Sequence, residues 1–131
     1  MHIQQKDLKK LLFPLVPGER VFLRGVPGAG KTTFTQELIR NHLHDDTISI
    51  LSPTYTYYQK YGDNIYHFDL YRAETLSDIM RIGADEILDD PSTICLIEWP
   101  EIVEKTIQPT KIVAITICGD ERHFEITNVK T

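Results

Sequence analysis

Residues Gly25 to Thr32 read Gly-Val-Pro-Gly-Ala-Gly-Lys-Thr, a full match to the pattern G-x-x-x-x-G-K-[ST]. The segment sits between the apolar run Val21-Phe22-Leu23 and a stretch, Thr33 to Leu43, that places Phe34, Leu38 and Ile39 on one helical face. Such a segment constrains a chain to a strand, a glycine turn and a helix in that order. The pattern works only if consecutive backbone N–H groups curl inward around an anion and the helix N-terminus points at it. Gly28, Ala29, Gly30, Lys31, Thr32 and Thr33 are therefore the candidate phosphate-binding residues. Lys31 supplies a point charge for the outer phosphates, and the Thr32 hydroxyl is a candidate Mg²⁺ ligand. A nucleoside triphosphate is the ligand this loop implies.

A triphosphate site also needs a carboxylate to help hold the cation, usually at the end of a buried strand facing the loop. Two positions qualify. Glu98 follows Ile94-Cys95-Leu96-Ile97, a continuous apolar run of the kind that marks a strand buried on both faces, and it is the preferred metal candidate. Asp69 follows Ile65-Tyr66-His67-Phe68; it either orients an attacking water or a metal-bound water, or pairs with Arg72 at the surface. His67 alternates with Tyr66 and Phe68, which favours a packed or hydrogen-bonded imidazole over a catalytic base. Ser52-Pro53-Thr54 is either an ordinary turn or a loop whose Thr54 hydroxyl senses the terminal phosphate. Trp99 either covers the metal site or anchors a partner. Lys31, Asp69 and Thr54 are the candidate catalytic set.

The remaining punctuation gives an α/β order of elements. A helix is expected over Gln4 to Phe13, stopped by Pro14, then a strand from Glu19 to Arg24, the loop and its helix, and a short strand from Ile48 to Leu51. Tyr55 to Tyr61 and Ile65 to Leu70 flank Gly62-Asp63-Asn64 as a hairpin, whose tyrosines serve packing rather than base stacking. Two short helices, Thr75 to Ile82 and Ala84 to Leu88, precede a strand from Thr93 to Trp99. Lys111 to Cys118 and Arg122 to Val129 form a second hairpin around Gly119-Asp120. The expected fold is a P-loop NTPase-like three-layer α/β fold with a mixed sheet and flanking helices.

With 131 residues and 41% hydrophobic content, a single domain spanning residues 1–131 is expected. The net charge of −5 argues against direct affinity for nucleic acid, which depends on cationic side chains neutralising phosphates. No run has the apolar length of a membrane span, and the N-terminus lacks the apolar core of a signal peptide, so a cytoplasmic protein without a membrane partner is expected. Cys95 and Cys118 lie in apolar stretches and are expected to be buried, reduced thiols.

Four ordered segments, Gly-Ala-Gly-Lys-Thr-Thr, Ser-Pro-Thr-Tyr-Thr, Tyr-His-Phe-Asp-Leu-Tyr-Arg and Leu-Ile-Glu-Trp, closely resemble the TsaE (YjeE) family over roughly residues 8 to 127. Members are small bacterial P-loop ATPases that work in making threonylcarbamoyladenosine in tRNA. The resemblance implies that the loop from Gly25 to Thr33 binds ATP and that Thr32 and Glu98 hold Mg²⁺. It implies further that Ser52 to Thr54 is a switch loop, that Asp69 supports hydrolysis, and that Arg122 assists nucleotide binding. Docking onto the TsaB and TsaD proteins, slow partner-stimulated hydrolysis, and contact with tRNA only through that complex are also implied. Many members carry Asp-Leu where this chain has Val26-Pro27. The rivals are a small-molecule or nucleotide kinase, disfavoured because no Arg-rich lid is evident; a GTPase, disfavoured by the lack of an Asn-Lys-x-Asp sequence; and a nucleotide-gated adaptor.

Overall fold

In the computed structural model, which describes residues 2–3, 5–50 and 56–129, the apolar run after Glu19 forms a strand buried along nearly its whole length. The strands are β1 (His2–Ile3), β2 (Arg20–Arg24), β3 (Tyr58–Tyr61), β4 (Ile65–Asp69), β5 (Ile94–Glu98), β6 (Lys111–Cys118) and β7 (Glu121–Asn128). They make one seven-stranded sheet in the order β1-β7-β6-β2-β5-β4-β3. The four central strands β6, β2, β5 and β4 run parallel, and antiparallel strands close both sides. Period-two alternation divides the core between the faces. Val21, Leu23, Ile65, Ile94 and Leu96 pack with Phe34, Leu38 and Ile39 of α1 (Lys31–Leu43). Phe22, Phe68, Cys95 and Ile97 pack with Ile79 of α2 (Leu76–Met80) and with Ala84 and Leu88 of α3 (Ala84–Asp89). The result is the three-layer α/β fold with a mixed sheet.

Both expected hairpins form, around Gly62 and Gly119, each with φ near +60°. Where the structure departs from the sequence reading, tertiary contacts explain it. The N-terminal helix is a 3₁₀ turn over Gln5–Leu11; Leu8 and Leu11, three apart, both face the α1-side core, as a three-residue period requires. Residues 48–50 are not a strand, and Leu51 lies outside the described residues. Two of their carbonyls are instead satisfied from α1: Gln36 Nε2 donates to that of Ile50 at 2.8 Å and Arg40 Nε to that of Ile48 at 3.2 Å. Cys95 is buried, and burial pushes its thiol up from the usual range; Cys118 is exposed, because it falls near the hairpin tip beyond the reach of the helical layer. Thr75 and Asp78 start α2 with a capping box. Among the described residues, no helix is long and apolar enough to cross a membrane.

Arg20, at the start of β2, is only 6% exposed. Its guanidinium donates to the carbonyls of Leu88 (3.1 Å), Glu19 (3.0 Å), Thr93 (2.7 Å) and Asp90 (2.7 Å), tying the end of α3 to the central strands. A cation at a helix C-terminus opposes the negative end of the helix dipole, and five planar donors match diverging carbonyls as no other side chain can. Arg20→Met should therefore lower unfolding stability by about 2–4 kcal/mol in urea titrations, through stranded carbonyls and lost charge-assisted bonds. Arg20→Lys should recover less than half of that loss.

Candidate functional site

The polarity of the parallel strands decides where chemistry collects. β2 is flanked by β5 on one side and β6 on the other, so the chain leaves its C-terminal end at a crevice between neighbours, the usual ligand position in such sheets. Leu23 is in register with Glu98, and Glu98 with Asp69, so the loop and both carboxylates emerge at one edge.

The loop backbone requires its glycines at two places. A Cβ on Gly25 would lie 2.8 Å from the Ile115 carbonyl oxygen and 3.2 Å from Ala29 Cβ, so a side chain there would push the loop off the sheet. Gly30, with φ 109°, is the N-cap of α1 in a left-handed conformation and supplies no side-chain cap. The first amides of α1, at Lys31, Thr32 and Thr33, consequently lack intrahelical acceptors and stand at the positive end of the helix dipole.

A cleft of about 330 Å³ opens over this turn, lined by Gly28, Gly30, Lys31, Thr32 and Thr33 from the loop and by Asp69 and Glu98 from the strands, with Pro27, Tyr71 and Trp99 at its walls. The Thr32 hydroxyl donates to Glu98, whose Oε1 and Oε2 lie 2.9 and 3.0 Å away. Glu98 Oε2 also lies 2.5 Å from Nε2 of the fully buried His67. The Asp69 carboxylate accepts the Tyr71 amide at 3.1 Å, fixing the turn that leaves β4.

Lys31 bends back on its own loop. Its ammonium donates to the Gly25 carbonyl and rests 3.4 Å from the centroid of the Trp99 ring. Burial lowers the Lys31 pKa from the ordinary lysine value, against the opposing pull of Glu98, Asp69 and Glu101. Trp99 is brought there by a left-handed backbone (φ 56°, ψ 61°), uncommon for a bulky residue, just before Pro100; its ring also meets Tyr71 at 4.7 Å between centroids. Arg122 approaches from the other flank. Its Nε donates to the Ala29 carbonyl at 3.1 Å and its Nη2 to that of Gly28 at 3.4 Å, bracing the loop beside a second recess lined by Leu8, Thr33, Asp120 and Phe124.

The structure thus brings together Gly28, Gly30, Lys31, Thr32, Thr33, Asp69 and Glu98. It places Arg122 against loop carbonyls, and Ala29 in the second recess rather than the first. Ser52, Pro53, Thr54 and Tyr55 lie outside the described residues. Sequence reasoning missed Tyr71 and Pro27 as walls and the attachment of His67 to Glu98. The only signal for His67 was its position two residues before Asp69, which puts both on one face of β4. Among the described residues no group of three or more His, Cys, Asp or Glu side chains could hold a metal.

Fold and loop together define a P-loop NTPase-like α/β protein. Residues 2–126 match the family described as threonylcarbamoyl adenosine biosynthesis protein TsaE, and the chain belongs to that family. The tRNA threonylcarbamoyladenosine biosynthesis protein TsaE of Rickettsia felis is 39% identical over 113 residues, covering 83% of this chain and 64% of the relative. That of Bacillus subtilis is 35% identical, covering 86% and 72%, and that of Borreliella burgdorferi 33%, covering 90% and 88%. The chain therefore spans less than two thirds of the Rickettsia felis relative. The crystal structure of Bacillus subtilis YdiB superposes with a TM-score of 0.73 at 28% identity, over 99% of this chain and 84% of YdiB.

The chain has one tryptophan, so the Lys31–Trp99 contact can be read directly. Lys31→Met should change the intensity of Trp99 emission in the ligand-free protein while leaving far-ultraviolet dichroism as in the parent. An unchanged emission spectrum would mean that the ammonium does not rest on the ring in solution.

Proposed function

We propose that this protein is a Mg²⁺-dependent ATPase of the TsaE type, which docks on the TsaB and TsaD proteins in the cytoplasm and supports threonylcarbamoyladenosine formation in tRNA. The observation that carries the reading is the Thr32 hydroxyl within 3.0 Å of both Glu98 carboxylate oxygens, at the mouth of a phosphate-binding turn. Hard oxygen donors, one neutral and one anionic, fit a cation that keeps most of its shell for water and phosphate oxygens, and the positive end of α1 beside them suits the phosphates. When bound, Mg²⁺ would be held by Thr32 and Glu98 and would supply neutralisation of the charge that develops on the phosphates.

The remaining work falls to the chain. The amides at the start of α1 bind the phosphates, and Lys31 leaves the Gly25 carbonyl and the Trp99 ring for a phosphate oxygen, a better partner for an ammonium. Thr32 and Glu98 hold the cation. Asp69, adjacent to Glu98 in the sheet register, orients the attacking water. Arg122 keeps the outer side of the loop in place by occupying the Gly28 and Ala29 carbonyls, and the recess beside it, walled by Leu8 and Phe124, suits the flat apolar face of a base. The net charge of −5 leaves tRNA to the partners, so contact with it is indirect.

Hydrolysis of ATP to ADP and phosphate in the presence of Mg²⁺, low alone and raised by TsaB and TsaD, is the expected result. Thr32→Ala and Glu98→Gln should each reduce it by roughly 10–100-fold, with the circular dichroism spectrum retained. Efficient transfer of the phosphoryl group to a nucleoside or nucleotide, against a water-only control, would instead establish a kinase. A pull-down with TsaB and TsaD that recovers nothing with or without ATP would overturn the docking.

A further inference from the structure

His67 sits within the sheet, fully buried, on the α1 side of β4 with Ile65, where the neighbouring strands contribute Leu96, Ile94 and Leu23. An imidazole in that layer is a costly filler: an aliphatic side chain would bury the same space without desolvating two ring nitrogens. Its Nδ1 has no hydrogen-bond partner among the described residues, whereas buried polar groups in a purely structural role are ordinarily satisfied. Its Nε2 has one, Glu98 Oε2, at 2.5 Å. With Nδ1 stranded among apolar atoms, the proton belongs on Nε2, which donates to the carboxylate.

The Thr32 hydroxyl is almost equidistant from the two oxygens of Glu98, at 2.9 and 3.0 Å, so it does not choose between them. His67 touches only Oε2 and thereby sets the rotation of the group. We propose that His67 is a positioning residue for the nucleotide-bound cation: by holding Oε2 from inside the sheet, it leaves Oε1 of Glu98 to the Thr32 hydroxyl and, when a cation is present, to that cation. The proposal rests on the reading of Glu98 given under the proposed function. It adds that the carboxylate keeps its aim when the Thr32 oxygen turns to the cation, because a second donor, built into the neighbouring strand, remains.

Three measurements test it. Long-range ¹⁵N–¹H correlation spectra of the ligand-free protein should show His67 as the Nε2–H tautomer; an Nδ1–H tautomer would overturn the contact without reference to any metal. Mn²⁺ binding, followed by electron paramagnetic resonance with a non-hydrolysable ATP analogue present, should weaken about tenfold in His67→Leu, as when the partner of a metal-holding group is lost. His67→Gln, whose side-chain amide can reach the same oxygen, should restore most of that affinity. Affinity for the analogue in EDTA should be the same in all three proteins. Unaltered Mn²⁺ binding in His67→Leu, or equal losses in the Leu and Gln variants, would overturn the role of His67. Absence of Mn²⁺ binding in the parent protein would instead overturn the reading of Glu98 itself.

Discussion

The parallel pairing of β2 with β5 is the constraint from which the rest of the molecule follows. Residues 20 and 98 are far apart in sequence, yet the register Arg20↔Cys95 through Leu23↔Glu98 puts the end of one strand beside the end of the other. Because parallel strands end on the same side, the glycine turn after β2 and the carboxylate closing β5 must emerge together. A slip of one residue would turn Glu98 to the other face of the sheet, away from α1 and Thr32. The apolar residues of both strands, shared between two helical layers, make such a slip costly.

The two ends of β2 do different work. At the N-terminal end, Arg20 is saturated by backbone carbonyls, and the buried Glu19 accepts Lys111 Nζ and Thr110 Oγ1, each at 2.8 Å. Every charge there has its partner, and the arrangement stabilises the packing of α3 and β6 on the central strand. At the C-terminal end the charges are held provisionally. Lys31 rests on a neutral carbonyl and an aromatic ring, in a setting whose burial disfavours its charge, and a carboxylate shares its oxygens among a hydroxyl and an imidazole. Under the proposed function, these are the contacts that an anion and a cation would take over.

Trp99 shows the same economy in its backbone. A left-handed conformation is unfavourable for a bulky residue by roughly 1–2 kcal/mol, and it is kept at the point where β5 must turn and lay an indole over the loop lysine. The tilted contact with Tyr71 completes a wall whose outer member is well exposed. Strain at this position and exposed aromatic surface beside it mark the cleft rim, while the core of the sheet carries neither.

The sequence alone determined the loop, the strand before it, the helix after it and the buried strand that ends at Glu98, because each depends on local chemistry: glycine turns, apolar runs and helical spacing. Both hairpins and the capped helix α2 were legible for the same reason. Only the tertiary structure decided that residues 48–50 would give their carbonyls to Gln36 and Arg40 rather than to a strand, that Cys118 would lie at an exposed hairpin tip, and that residues 2–3 would pair with β7. It also decided that Arg122 would grip the loop from behind, and that His67 would bond to a glutamate 31 positions away. Those outcomes depend on strand register and packing between distant segments, which no local pattern encodes.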